Sequence, residues 1–438
     1  MAMVVKNNMS ALSALNTLNT NTNALSKSLK KVASGMKINS AADDASGYAI
    51  SEKMRVNIRS LNQANANAQN GTSMMKVAEG AVSSTVEILK TMKEKAVNAA
   101  NDTNTDADRA TIQKELDQSI DQINDNANVT FNGQYLVDGS KSKNTNATTT
   151  AMTNISLNTD TATGSSLTSL KSRSGDSLNI HSTDTVTISY VKDGKTTTSS
   201  MTVGSENLGN VISKLTGGQL RITGAGTGSG STSTIGKDGS GNTVYTASGE
   251  NGITISASES GVGGQIAGFT MYITDNTGAV NKSANAVLDA FDESIRAVNS
   301  SQDNSINMQV GAKAGQAIKV GLTDMKAVAL GLQGNNGDTV SVGTREKANA
   351  AINTFDSAIQ KALDQQTTIG AAMSRLEYTQ SNLTTASENV TAAESTIRDA
   401  DMAKEMTEYT KNNVLMQAAQ SMLSQANQSS SNALSLLQ

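Results

Sequence analysis

The chain has 438 residues, 35 Lys+Arg against 39 Asp+Glu, a single His, and no Cys, Pro or Trp. That length allows about three domains, but zero cysteine excludes disulfides, thiol nucleophiles and cysteine-ligated zinc. A formal charge of −4, aromatics at 3% and one imidazole leave no basic stripe or stacking platform for nucleic acid and no multi-histidine metal site.

The first predicted element is a helix. Leu15, Leu18, Thr22, Leu25, Leu29, Val32 and Met36 alternate steps of three and four, the spacing of a coiled-coil seam with one polar gap. Absence of proline suits such helices, since proline removes a donor and clashes with the preceding turn. The pattern breaks over 38–44, and a longer helix follows with Ile58, Leu61, Ala68, Met75, Val82, Val86, Leu89 and Ala96 in heptad positions. A turn-rich cluster at 101–106 separates it from a third helix carrying Ile112, Leu116, Ile120, Ile123 and Ala127. Asn132-Gly133, between Val129-Thr130-Phe131 and Tyr135-Leu136-Val137, predicts a hairpin because both residues tolerate positive φ.

From about residue 141 the composition shifts to Ser, Thr and Gly with short alternating runs. Val186, Ile188 and Tyr190 before Asp193-Gly194, with Met201 and Val203 after it, predict a second hairpin. Ile253 and Ile255, then Phe269, Met271 and Ile273, read as half-buried strands, and 224–230 as a glycine-rich loop. Helix then returns. Phe355, Ile359, Ala362, Gln366, Ile369, Met373, Leu376, Gln380, Leu383, Ser387, Val390, Glu394 and Ile397 hold one three-four register. After a break at 398–401, Met402, Met406, Tyr409, Met416, Leu423, Leu434 and Leu437 are in phase on a final helix. The expected fold class is α + β and multidomain: long antiparallel coiled-coil or helical-bundle terminal regions with an inserted β-rich outer domain. The mirrored order of elements would place both termini at one end of a rod.

No apolar run approaches the ~20 residues of a membrane span, and residues 1–8 lack the apolar stretch of a signal peptide. The chain is expected in the cytoplasm or exported without a cleaved signal. Its terminal helices set Ala, Ser, Asn, Thr and Gln around a thin Leu/Met seam. A buried Leu or Met contributes roughly 1.5–3 kcal/mol, whereas ordering one residue's backbone costs about 1–2 kcal/mol. An isolated pair of such helices is marginal, and partner chains are expected to complete its core. A monomeric bundle with frayed ends is the alternative. Binding to a membrane surface calls for Lys and Arg on the polar face, which here is Asn, Ser and Thr.

The run from Ser28 to Ser51, with Ser34-Gly35-Met36-Lys37-Ile38-Asn39-Ser40-Ala41-Ala42-Asp43-Asp44-Ala45-Ser46-Gly47 at its centre, resembles the N-terminal signature of bacterial flagellins. Ile397-Arg398-Asp399-Ala400-Asp401-Met402-Ala403-Lys404-Glu405-Met406, with Asn412-Asn413-Val414-Leu415-Met416-Gln417-Ala418 and Ser424-Gln425-Ala426-Asn427-Gln428, resembles their C-terminal one. The resemblance covers 1–140 and 289–438. It implies a subunit exported unfolded through the hollow flagellum that polymerises at its tip into a helical tube, secreted to the extracellular filament. The end helices (1–43 and 397–438) would line the channel, 44–140 and 289–396 would form the next shell, and the insert 141–288 would point outward. Implied partners are further copies of itself, the distal cap, hook-junction proteins, the type III export machinery and a chaperone shielding the C-terminal helix. Neither nucleic acid, membrane, metal nor cofactor is implied. A hook–filament junction protein, which shares the end helices, is the alternative.

By the same resemblance Leu15, Leu18, Leu25, Leu29, Val32, Met402, Met406, Tyr409, Met416 and Leu423 would form the inner assembly core. The two breaks would be spokes, with Asp43, Asp44, Arg55, Arg59, Arg398, Asp399 and Asp401 as candidates for contacts between subunits. The plain alternative for these charges is capping and solvation. Ser40 and Asp43 have capping-box spacing, expected to stabilise a helix start. Asn132-Gly133 matches a position the family associates with supercoil switching, although an ordinary connector accounts for it. Flagellins sensed by the animal Toll-like receptor carry a pattern like Leu-Gln-Arg-Val-Arg-Glu-Leu. Here Leu89-Lys90-Thr91-Met92-Lys93-Glu94-Lys95 puts Thr91 in place of the central Arg and Lys95 in place of the apolar Leu, while Glu115 is kept.

No motif supports catalysis. His181 precedes Ser182-Thr183-Asp184 and so does not open an H-E-x-x-H zinc helix. Ile235-Gly236-Lys237-Asp238 lacks the upstream Gly and following Ser or Thr of a phosphate loop, and Gly261-Val262-Gly263-Gly264 fails the dinucleotide fingerprint at Ile266. Asp238-Gly239-Ser240-Gly241-Asn242 reads as a turn, without the Gly and Glu of a calcium loop.

Overall fold

The computed structural model describes residues 8–224, 234–246 and 251–435. In chain order the elements are α1 (Met9–Ser34), α2 (Ala45–Ala99), α3 (Asp106–Ala127), β1 (Thr130–Phe131), β2 (Gln134–Tyr135), β3 (Ala151–Asn154), β4 (Thr185–Lys192) and β5 (Lys195–Thr202). Then come α4 (Leu208–Leu215), β6 (Leu220–Gly224), β7 (Thr234–Lys237), β8 (Thr243–Tyr245), β9 (Ile253–Ala257) and β10 (Ile266–Thr274). The chain ends with α5 (Lys282–Leu288), β11 (Asp292–Ile295), β12 (Ile306–Gln309), β13 (Ala317–Val320), α6 (Ala327–Leu330), α7 (Arg345–Arg398) and α8 (Met402–Ser435). Of the expected features, the loop at 225–230 and Leu437 fall outside the described residues. The chain forms two compact units: 1–68 with 309–316 and 378–438, and 69–308 with 317–377.

In the first unit α1 starts where the Asn8 side chain accepts the Ala11 N–H at 3.0 Å. It stops at Gly35, whose left-handed φ of 71° lets its N–H close on Lys31 O. Leu61 and Ala64 of α2 pack with Leu383, Ala386 and Val390 of α7. Polar pairs Asn65–Thr384 at 3.4 Å and Ser387–Asn62 at 2.9 Å flank that cluster and set the two helices antiparallel. The Ser40–Asp43 pair does not begin a helix, contrary to its spacing. Asp43 Oδ2 accepts the Ser40 N–H and hydroxyl, both at 3.0 Å, closing a turn, and α2 starts two residues later. Asp44 is the true cap, its Oδ1 accepting the N–H groups of Ser46 and Gly47 at 3.0 Å.

In the second unit the α2 stripe buries as its spacing predicts, whereas on α7 the predicted Ile359, Gln366 and Met373 are half-buried and their neighbours Ala358, Gln365 and Ala372 take the inner positions. Met75, Val82, Leu89 and Ala96 on α2, Ile120 and Ile123 on α3, and Phe355, Ala362, Ile369 and Leu376 on α7 all have 0% exposure. Thr105 and Asp108 make a reciprocal capping box at the start of α3. The Asn132-Gly133 turn joins β1 to β2 with φ of 50° and 75°, and Asp193-Gly194 joins β4 to β5 with 51° and 74°.

The inserted β region has two main sheets, β10-β4-β5 and β11-β3-β9-β6. Its core gathers Val186, Ile188, Tyr190, Ile253, Ile255, Phe269, Met271 and Ile273. Strands β9 and β10 are buried on both faces rather than half-buried as expected. The reason for β10 is its second face, which meets helix. A bulge at Gly268 seats it against Ala350 and Thr354 of α7, and Asn353 donates to Phe269 O at 3.4 Å. Helices α4 and α5 are too short to show a periodic signal, yet each starts on an asparagine cap, Asn207 and Asn281. Between α5 and α7 the chain holds only short strands and the single turn α6.

Candidate assembly surface

The terminal helices α1 and α8 lie antiparallel in the first unit. Asn8 Nδ2 donates to Ala426 O at 3.1 Å, Asn21 Nδ2 to Leu415 O at 3.2 Å and Asn412 Nδ2 to Ser28 Oγ at 3.2 Å. Lys31 pairs with Glu405 at 3.3 Å. On α1 the side facing α8 is Ala14, Leu18, Asn21, Leu25, Ser28 and Val32, and on α8 it is Tyr409, Asn412, Met416, Ala419 and Leu423.

That face differs from the predicted seam by one residue at every second position. Leu18, Leu25, Val32, Tyr409, Met416 and Leu423 are half-buried in the pair. Leu15 and Leu29, however, stay 41% and 51% exposed, while Ala14 and Ser28 take the inner positions. Met402 and Met406 are likewise outside, joined there by Val414, Leu415 and Met422. The two helices therefore meet through Leu18, Leu25, Val32, Met416 and Leu423 interleaved with small and polar side chains, and keep Leu15, Leu29, Met402 and Met406 on the outer side. Spacing alone missed Asn21, Ser28 and Asn412, although their steps of three and four beside Leu18 and Leu25 were a legible signal.

A second element ties the linkers together. Met36 and Asp399 form an antiparallel bridge, with Lys37 N–H on Arg398 O at 2.7 Å and Ala400 N–H on Gly35 O at 2.9 Å. Arg398, only 6% exposed, bonds Glu52 Oε1 at 2.6 Å, reaches Met36 Sδ at 3.1 Å and stacks 5.6 Å above the Tyr48 ring. Arg55 bonds the same Glu52 oxygen at 3.0 Å, and Arg59 is exposed. Asp399 accepts the Ser395 hydroxyl at 2.6 Å, and Asp401 caps α8 through the N–H of Ala403 at 3.0 Å. Arg398, Asp43, Asp44, Asp399 and Asp401 thus all have partners inside their own chain.

The hydrogen bond from Arg398 holds the Glu52 carboxyl below the ordinary glutamate range. A lowered folded-state value means that this contribution is present above the unfolded value and lost as pH falls through the folded one. Carbon-13 NMR of the Glu52 carboxyl is expected to show a titration midpoint below that of a free glutamate, moving upward in Arg398→Gln while Arg55 still holds part of the lowering. Equal midpoints in the two proteins would refute the latch.

The receptor-pattern positions lie in the second unit. Leu89 is fully buried, so it packs the helical core and offers no contact surface. Thr91 is exposed, and Lys95 pairs with Glu115 at 2.9 Å. His181 is an exposed side chain beside Asp184, 3.8 Å away. No described helix is long and apolar enough to cross a membrane.

The two ends of the chain meet in a thin seam of mixed apolar and polar side chains, and further large apolar residues on both helices stay exposed, the kind of stripe that marks protein contacts. The bacterial flagellin N-terminal helical region matches residues 5–142, and the bacterial flagellin C-terminal helical region matches residues 352–437. A flagellin of Clostridium tyrobutyricum is 36% identical over 97% of this chain and 99% of its own length. A flagellin of Bacillus subtilis is 30% identical over 99% and 100%. The solved FliC of Burkholderia pseudomallei aligns with 70% of this chain and 99% of its own at 17% identity, with a TM-score of 0.25.

The chain belongs to the bacterial flagellin family. It is a structural subunit of the flagellar filament and not an enzyme, and family membership implies self-assembly into that filament.

Proposed function

We propose that the outer side of the α1–α8 pair is the surface through which neighbouring subunits add to the filament. Leu15 and Leu29 on α1, with Met402 and Met406 on α8, contact the next copies, while Leu18, Leu25, Val32, Tyr409, Met416 and Leu423 complete the pair within each chain. Segments 1–43 and 397–438 then form the inner layer, 44–140 and 289–396 the shell, helical in its second part only over the single turn α6 and α7, and 141–288 the outward insert. The single observation that carries this reading is that Leu15 and Leu29 remain exposed although the helix has an α8 partner. Exposed apolar stripes of this kind on a folded chain mark protein contacts.

Arg398 acts within this scheme by holding the two linkers together, and Asp43, Asp44, Asp399 and Asp401 by closing turns and capping helices. Arg55 and Arg59 are the charges best placed to meet another subunit. The subunit is secreted by the type III flagellar export machinery, escorted by a chaperone on its C-terminal helix, and added beneath the distal cap beyond the hook-junction proteins. Electron microscopy of monomer seeded with filament fragments tests the surface. Wild type is expected to form long tubes, and Leu15→Ser with Leu29→Ser to lose elongation by at least about a hundredfold, two buried leucines contributing roughly 1.5–3 kcal/mol each. Equal elongation by both proteins would remove the outer stripe from the interface.

Toll-like receptor activation is expected to be weak. Thr91 lacks the bidentate guanidinium and Lys95 the apolar anchor that dominate binding energy at contacts, and Lys95 is already engaged by Glu115. A cell reporter response equal to that of a strongly sensed flagellin would overturn this.

A further inference from the structure

Sulfur enters this chain only as methionine: 18 Met and no Cys. Their placement is not even. Met75, Met92, Met271 and Met325 are at or below 1% exposure in the second unit. Among the described residues, every exposed methionine lies on the two terminal helices: Met9 at 68%, Met402 at 42%, Met406 at 46% and Met422 at 65%. Leucine would give the same volume and a better-defined rotamer, so the clustering sets these helices apart chemically as well as sterically.

We propose that Met9, Met402, Met406 and Met422 form an oxidation-sensitive set on the assembly surface, so that a hydroperoxide disables free subunits while those already in the polymer are shielded. This rests on the assembly reading given above. In the step itself a thioether lone pair attacks the distal peroxide oxygen. The O–O bond breaks as the S–O bond forms; sulfur loses two electrons, and hydrogen peroxide is reduced to water after proton transfer. The product sulfoxide is polar and chiral where an apolar, adaptable side chain stood. Burying its oxygen against a neighbouring helix without a donor is unfavourable. No thiol in the chain competes for the oxidant.

The test compares wild type with M9L/M402L/M406L/M422L, a volume-conserving replacement. Monomers of each are treated with hydrogen peroxide, quenched with catalase, mapped by peptide mass spectrometry for one added oxygen per methionine, and then offered filament seeds. Oxidised wild type is expected to carry oxygen at the four positions and to elongate roughly tenfold or more slowly. The leucine variant is expected to keep its untreated rate, and methionine sulfoxide reductases acting on both epimers to restore wild type. Preformed filaments are expected to take up less oxygen at the same four positions. Undiminished elongation by oxidised wild type, or equal loss by the leucine variant, overturns the proposal. So does equal oxygen uptake by filaments and monomers. Untreated wild type that fails to elongate from seeds would instead sink the assembly reading, and this proposal with it.

Discussion

Truncation after Ala400 removes α8 and is expected to abolish seeded filament growth while the second unit stays folded. The cut keeps Arg398 on Glu52 and the Lys37–Arg398 backbone bond, so loss of growth reports on α8 itself. What disappears is the facing surface of Tyr409, Met416, Ala419 and Leu423, together with the Asn412–Ser28 and Lys31–Glu405 contacts. Left alone, α1 has 26 residues whose inner stripe holds only Leu18, Leu25 and Val32 as large apolar side chains. Helices of that kind owe most of their stability to tertiary packing, so circular dichroism should show more helix lost than α8 alone contained. Tubes formed by the truncated chain would show that α1 and the long helices suffice for assembly.

The second large effect is expected from Gly268→Ala in β10. Gly268 sits at φ +60°, and a Cβ there would collide with Ala350 O and Thr354 Oγ1 on α7. Neither atom is a flexible chain end: one is helix backbone, and Thr354 is fully buried and bonded to that same carbonyl at 2.9 Å. Left-handed backbone costs an L-residue about 1–2 kcal/mol, and forcing a methyl into a packed site adds about 1–3 kcal/mol. Calorimetry should therefore show the second unit destabilised by about 2–5 kcal/mol. Gly278→Ala is the control, since Gly278 also has positive φ (+85°) but a Cβ there meets nothing within 4 Å. Equal shifts in the two variants would mean that backbone strain alone matters and that the seating of β10 on α7 does not.

Both predictions rest on features that differ in how far the sequence discloses them. The three-four register from Phe355 to Ile397 lies on one helix, α7, and its Phe355, Ala362, Ile369 and Leu376 are buried as spaced. The Asn-Gly and Asp-Gly turns were equally legible because both residues tolerate the positive φ that such hairpins require. Less visible were α4 and α5, which offer only an asparagine cap and two turns of apolar residues. The burial of β10 on both faces was hidden as well, because its second face is covered by a helix some 80 residues further along the chain. Arg398 was picked out as a candidate contact between subunits, whereas its guanidinium is taken up by Glu52 and Tyr48 of its own chain. No spacing rule links positions that far apart.

For this protein the sequence alone determined the helical ends, the breaks at 38–44 and 398–401, the β-rich insert, and the family that the two end motifs mark. These follow from local causes: side-chain period, backbone φ preference and the chemistry of caps. Only the tertiary structure decided which apolar residues on α1 face α8. Leu15 and Ala14, or Leu29 and Ser28, are neighbours about 100° apart on a helix, and a three-four pattern admits either as the inner position. The choice fell to the partner helix, where Asn412 meets Ser28 and Lys31 meets Glu405. These polar contacts accompany a register that leaves Leu15 and Leu29 outside.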